Sequence, residues 1–404
     1  MLRMSAILKI IACGFVALFS LPLANAVTLH NYHCGTGEGY VSGLTKDGQG
    51  NYYGVSALGG GGNVGVAFEL SPNGQGGWSC SVIYTFVGSG DGANPESTLV
   101  MDAHGNLFGT ATSGGFSGAG TVFELSQQNG AWSISNAYEF TGGADGSYPM
   151  GALAIDAAGN IYGATEAGGI QNGGTVFEVI PSTNQLTLKT LHTFGSPSDG
   201  YRPFGGVIMD RGGNLYGTTW QGGVGGNGIV FKLRPAGPGW IENILYAFSA
   251  PGQGGPESAP SFDNQGALIG SVVTGAVYRL TPSPTFPRTV EQPWNITWLY
   301  TFPNQSNLAE GFMPIGAPIM DSAGNIYGTT SEGGNTNFCS PVGCGVVYKL
   351  TPSHDNGPTT YTETVLWTFQ GYPNGQEPDA ILTLESSGSF LSTTGTDGPF
   401  ELTP

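Results

Sequence analysis

The chain has 404 residues with 70 Gly and 26 Pro, yet 39% are hydrophobic and 11% aromatic. That is enough apolar material for a large core and excludes a low-complexity disordered chain. Only 11 Lys and Arg stand against 28 Asp and Glu, a net charge of −17, which excludes a nucleic-acid binder and a polybasic contact with anionic lipid.

Residues 1–26 read as a secretory signal: Arg3 and Lys9 form the positive end, Ile10–Leu23 is apolar, and Ala24-Asn25-Ala26 is a small-x-small site with cleavage expected after Ala26. The apolar run is shorter than the roughly 20 residues of a membrane span. The mature chain, 27–404, keeps Cys34, Cys80, Cys339 and Cys344, and export permits disulfides. Cys339 and Cys344 bracket the loop Ser340–Gly343, so a local clip between them is expected.

One pattern recurs along the mature chain, Asp-x-x-Gly-Asn-apolar-Tyr-Gly-Thr-Thr. It stands at Asp47–Ser56, Asp102–Thr112, Asp156–Thr165, Asp210–Thr219 and Asp321–Thr330, with decayed copies at Asp263–Val272 and Glu385–Thr394. The glycines that mark it, from Gly50 to Gly388, are spaced about 54 residues apart, the signature of a repeat fold. Each period holds four apolar runs. In the copy after Pro203 these are Gly205–Met209, Asn214–Thr218, Ile229–Leu233 and Trp240–Phe248, with the glycine-rich Gly222–Gly228 between the second and third. Alternation within the runs predicts strands, and no helical period appears.

Seven periods of four strands predict an all-β, seven-bladed β-propeller. Val27–His33 aligns with a fourth run and Pro399–Leu402 with a third. The N-terminal strand is therefore expected to join the C-terminal blade and close the ring.

On these residues the chain resembles the GloVer (Gloeo/Verruco) tandem-repeat extracellular proteins. The shared elements are the Asp-x-x-Gly-Asn turn with its Tyr-Gly-Thr-Thr strand, GTVFEL at Gly120–Leu125, GTVFEV at Gly174–Val179, and Asp-Gly-x-x-Pro at Asp145–Pro149 and Asp199–Pro203. The resemblance covers nearly all of 28–404 and implies an exported bacterial repeat protein. It implies no reaction and carries over no catalytic residue. Some members carry C-terminal anchors; this chain ends within its repeat pattern, so it is expected to be secreted or periplasmic.

With the first run innermost and the fourth outermost, the loops entering the first run and those joining the second to the third share one face. The Asp-x-x-Gly turns lie on the other and explain themselves as turns. The shared face carries Glu38 to Tyr40, Asp91, Asp145 with Tyr148, Asp199 with Tyr201 and Arg202, and Glu310. Departures from the repeat after the second run are Ser113, Glu166, Trp220, Ser331-Glu332 and Asp397. An aromatic ring beside carboxylates suits a sugar, whose apolar face stacks while its hydroxyls donate to acids. Trp220, Asp199, Tyr201, Arg202, Tyr148 and Asp145 are the expected ligand-binding residues. Glu166 and Glu332 face each other across the ring in this scheme and are the candidate acids of a glycosidase.

Other constellations are poor. His30, His33, His104, His192 and His354 are scattered, without metal or Ser-His-Asp spacing. No metal site and no cofactor is expected; an exported acidic protein admits calcium, but no acidic loop repeats with ligand spacing. Cys34 follows one outer strand and Cys80 opens the next at its opposite end, which places them beyond the ~7 Å a bridge permits, so no disulfide is expected there. The leading expectation is a monomeric, exported recognition module whose partner is carbohydrate or a cell-surface protein, without nucleic acid and without a membrane span after signal cleavage. The alternatives are a polysaccharide hydrolase or lyase on the same face, and a structural or protein-binding repeat protein.

Overall fold

In each well-kept repeat one aspartate builds the turn between the first two strands. Asp210 Oδ1 accepts from the N–H groups of Gly212 and Asn214 at 2.8 and 2.9 Å, while Oδ2 accepts from Asn214 Nδ2 at 2.8 Å and the Tyr216 hydroxyl at 2.9 Å. Gly213 takes a φ of 77°, a conformation that glycine adopts without a Cβ penalty. Asp47, Asp156 and Asp321 repeat the same net. The Asp, Asn and Tyr of the motif are thus one hydrogen-bonded unit.

The glycine of Tyr-Gly-Thr-Thr has a different cause. Gly217 lies in register with Phe231 of the third strand, and a Cβ there would stand 2.5 Å from the ring. The ring crosses the strand where no side chain rises. The pairs Gly54 with Phe68, Gly109 with Phe123, Gly163 with Phe177, Gly270 with Tyr278, and Gly328 with Tyr348 repeat the arrangement.

The computed structural model describes residues 27–404 except 33, 35–41, 183–184, 197, 250–253, 284–293, 304–308, 354–358, 373–374, 396 and 404. The signal segment, Glu38 to Tyr40, His33 and His354 lie outside the described residues. The chain forms seven small antiparallel sheets, each a blade of four strands. The fourth blade runs from the axis outward as Val207–Met209, Leu215–Thr219, Ile229–Ala236 and Gly239–Ala247. Parallel bridges from Thr98 to Ala152 and from Ala152 to Gly206 join neighbouring innermost strands around the axis. In the second blade the innermost strand is split into Ala93–Pro95 and Val100–Met101. The seventh blade combines Thr383–Leu384, Phe390–Thr394 and Gly398–Thr403 with Thr28–Asn31, where Thr28 pairs with Thr403. The N-terminal strand does close the ring. Among the described residues no helix is long and apolar enough to cross a membrane.

Both faces of the inner strands pack on neighbouring blades, so third strands such as Ile229–Leu233 are buried on both sides. Each seam is pinned by the phenylalanine that follows an outer strand. Phe86, Phe140 and Phe194 meet Phe123, Phe177 and Phe231 of the next blade at 4.9, 5.4 and 5.1 Å between ring centres. Phe248, Phe302 and Phe369 do the same with Tyr278, Tyr348 and Phe400 at 5.4, 5.0 and 5.3 Å.

The closing seam corrects the expectation about Cys34 and Cys80: they form a disulfide, with Cα atoms 5.0 Å apart. Tyr32 donates its N–H to Pro399 O, which puts Cys34 at the position that phenylalanine holds in other blades. Cys80 holds the outer-strand position of Ile134, which packs on Phe86 in the next seam. Because blades twist, the end of one outer strand lies over the start of the next, not away from it. The buried Cys34 joins Leu44, Tyr52, Phe68 and Leu70 of the first blade and Leu391 of the last. A second disulfide joins Cys339 to Cys344, Cα atoms 5.1 Å apart.

The Cys34 bridge spans 46 residues, for which chain entropy gives a stabilisation of about 4 kcal/mol. We expect Cys34→Ser/Cys80→Ser to lower the urea midpoint markedly, and Cys339→Ser/Cys344→Ser, which closes only a short loop, to lower it less. Equal midpoints for the two variants would contradict this.

Candidate functional site

The loops that enter the first strand converge on the axis. The residue before the proline of Asp-Gly-x-x-Pro is left-handed in five blades: Asn94, Tyr148, Arg202, Met313 and Glu377 have φ of 55°, 56°, 61°, 57° and 52°. Left-handed backbone is uncommon without glycine, and rarer before proline. It is held by the preceding blade. The N–H groups of Asn94, Tyr148, Arg202 and Glu377 donate to the carbonyls of Val64, Ala119, Gly173 and Cys344. Strain of this kind gathers at sites of function.

The residue after each proline lines a central cavity of about 560 Å³: Glu96, Met150, Phe204, Glu257, Ile315 and Asp379. Three of these six are acidic and three apolar. Burial, with Glu166 nearby, raises Glu96 to about 7. Burial, with Glu377 and Glu257 nearby, raises Asp379 to about 8. Burial raises Glu257 also, opposed by the positive charge of Arg202. Asp379 Oδ1 is buried without a hydrogen-bond partner. Glu96, Glu257 and Asp379 lie outside the recurring motif and were not among the expected site residues. Their signal is a change from apolar to acidic at one repeat position, directly after Pro95, Pro256 and Pro378.

At the mouth the structure brings together three of the expected residues. Arg202 Nε donates to Glu166 Oε1 at 2.9 Å, and Nη2 donates to the same oxygen. The guanidinium lies 4.6 Å from the Trp220 ring and 4.8 Å from the Phe204 ring, whose planes stand at 86°. The backbone N–H of Trp220 donates to Arg202 O at 3.0 Å. Gly255 makes room for it, since a Cβ there would lie 2.0 Å from Trp220 O. One Trp220 face therefore carries Arg202, and the cation–π contact fixes both groups.

The remaining expected residues lie in other settings. Glu332 bonds through its backbone to Phe312, and burial with the Glu377 charge raises its carboxyl. Asp145 accepts from Thr141 N at 2.8 Å and the Tyr138 hydroxyl at 3.1 Å, within its own loop. Tyr148 is 47% exposed, and the Tyr201 hydroxyl donates to Gly195 O. Asp199 points to the outer rim, 3.1 Å from His192 Nε2, where burial and the Asp199 charge raise Glu242.

The Gloeobacter/Verrucomicrobia repeat matches residues 13–212 and again 207–402. The chain belongs to this repeat family. No curated protein matches the sequence. Among solved structures it is similar to an inactive variant of virginiamycin B lyase from Staphylococcus aureus, determined with quinupristin, at 14% identity and a TM-score of 0.56, covering 94% of this chain and 99% of that one. It is also similar to the extracellular domain of a one-component system of B. thetaiotaomicron, at 13% identity and a TM-score of 0.52, covering 93% of this chain but only 39% of that one. At such identities the likeness shows the propeller fold alone. The two disulfides are the mark of an oxidising compartment.

The carboxyls fix the pH behaviour. Glu96 and Asp379 have folded pKa values above their unfolded ones, so their contribution is fully present below about pH 4 and lost as pH rises through 7 to 8. The turn aspartates Asp47, Asp102, Asp210 and Asp321 are held below the usual range, despite a burial penalty, by N–H and side-chain donors led by Asn51, Asn106, Asn214 and Asn325. Their contribution is present above about pH 4 and lost below it. The stability these groups contribute should peak where the two windows meet, near pH 4 to 5. Glu96→Gln/Asp379→Asn should raise the urea midpoint at pH 9 and leave it little changed at pH 5; an equal gain at both would show that these carboxyls are not desolvated.

Proposed function

We propose that the chain is an exported recognition module that takes a carbohydrate at the channel mouth. The carrying observation is the mouth itself: an apolar-floored cavity of about 560 Å³ walled by Glu96, Glu257 and Asp379. Carboxyl groups held at this depth offer donors when protonated and acceptors when ionised, the pairing that sugar hydroxyls need. The rings of Phe204 and Trp220 supply the apolar surface beside them.

Charge narrows the ligand. Around the mouth Glu96, Glu166, Glu257, Glu377, Asp379 and Glu332 stand against the single guanidinium of Arg202 among the groups coupled here. Uronate-bearing glycans would be repelled, whereas neutral and amino sugars would not. Cleavage of the bound glycan is a second reading, favoured by one observation. Burial, with the Glu166 charge, raises Glu96 to about 7, which suits a general acid with a second carboxyl at hand. In this reading the pair is Glu96 and Glu166, in place of the expected Glu166 and Glu332.

Electrophoresis through gels of embedded neutral, amino and uronate polysaccharides tests this. We expect retardation by a neutral or amino glycan, loss of retardation in Trp220→Ala and in Glu96→Gln/Asp379→Asn, and no effect of uronate gels. No retardation in any gel, or retardation by uronates, would overturn the reading. New chain ends from a retarding glycan, absent with Glu96→Gln, would establish the enzyme.

A further inference from the structure

At the outer rim four of the seams carry a small polar set, independent of the channel mouth. Two residues before the seam phenylalanine stands an aromatic that bonds the acid of the next Asp-Gly loop. The Tyr84 hydroxyl donates to Asp91 at 3.0 Å and that of Tyr138 to Asp145 at 3.1 Å. Between the fifth and sixth blades, the Tyr300 hydroxyl lies 2.9 Å from Glu310 and 3.0 Å from Glu363 of the next outer strand.

The seam between the third and fourth blades departs from this. Histidine replaces tyrosine at residue 192, and an acid, Glu242, stands where the neighbouring blade has Leu188. His192 Nε2 lies 3.1 Å from Asp199 Oδ1 and 3.9 Å from Glu242 Oε1. All three donor atoms fall within 4.8 Å of one another, and all three residues are half-buried. The His192 ring is braced edge-on by Phe194, 4.6 Å between centres. Glu242 Oε1 is buried and has no hydrogen-bond partner. Donors bound about 2.1 Å from a tetrahedral ion sit roughly 3.4 Å apart, close to the spacing found here. A tyrosine in this place closes the set with its own proton; an imidazole and two carboxylates leave it short of positive charge.

We propose that His192, Asp199 and Glu242 bind a divalent metal ion of the zinc class, which staples the third blade to the fourth at the outer rim. One nitrogen and two oxygens match the borderline character of zinc better than the all-oxygen sets of calcium or magnesium. The partly exposed rim leaves a fourth position for water. The ion would hold the loop that begins at Asp199 and ends at Arg202, so it acts on the mouth only through the position of that loop.

The test uses the full chain, purified without a polyhistidine tag, stripped by chelator and titrated with zinc against a chromophoric competitor. Cobalt in its place reports geometry through its visible absorption. We expect uptake of one ion at micromolar affinity or tighter, a tetrahedral cobalt band, and a rise in melting temperature. His192→Tyr restores the residue of other blades and Glu242→Leu that of the third blade, so both should fold; each should weaken uptake at least tenfold and abolish the band. Absence of stoichiometric uptake by the wild-type chain, or uptake unchanged in both variants, would overturn the proposal.

Discussion

The ring depends on one contact made at six of its seven seams: the phenylalanine after an outer strand set edge-on or tilted against the aromatic of the next blade. In the first six blades that aromatic lies across a glycine that faces it in the strand pair, and in the seventh Phe400 faces Ser392. Glycine and ring are therefore one device, and the spacing of Tyr-Gly-Thr-Thr to Val-Phe along the repeat is its record. At the closing seam the phenylalanine is replaced by Cys34, and the same two positions are joined by a covalent bond to Cys80. A seam made between chain ends forms at the greatest loop entropy cost of the seven, which is where a bond that restricts the unfolded chain contributes most.

Apart from the closing disulfide and the His192 rim, the seams are alike, and most of the difference among blades lies in the loops that face the axis. Their polar groups form a chain of coupled charges, from Glu96 through Glu166, Arg202 and Glu257 to Asp379, Glu377 and Glu332. Arg202 sits midway and is itself immobilised by two aromatic rings. Most of these groups stand on different blades, so the mouth exists only when the ring is closed. Binding there and closure are thermodynamically linked: a ligand that prefers the closed ring stabilises it by mass action.

The repeat spacing, the turn chemistry and the split last blade were all legible in the sequence, because each rests on local hydrogen bonding or on periodic apolar runs. Two things were not. Adjacent residues of one loop part company: Asp199 turns to the rim and Arg202 to the axis, and nothing in Asp-Gly-Tyr-Arg tells which way each side chain leaves. The cavity acids were hidden for another reason. Glu96 and Asp379 each follow a proline outside the recurring motif; Glu96 stands in the break between Ala93–Pro95 and Val100–Met101, and Asp379 precedes the pairing that begins at Thr383. The distance error for Cys34 had the same root, a flat picture of blades that are twisted.

The five left-handed residues before proline show what this build permits. Their backbone is fixed by the proline ring that follows and, in four of the five, by a hydrogen bond to the blade before, yet their side chains are as unlike as Asn, Tyr, Arg, Met and Glu. Folding tolerates unlike letters there, because the hydrogen bond and the proline that hold the turn belong to the main chain. Selection for stability is therefore blind at these positions while selection on the ligand is not. Such a lineage can change what it recognises one blade at a time, drifting through intermediates that all fold.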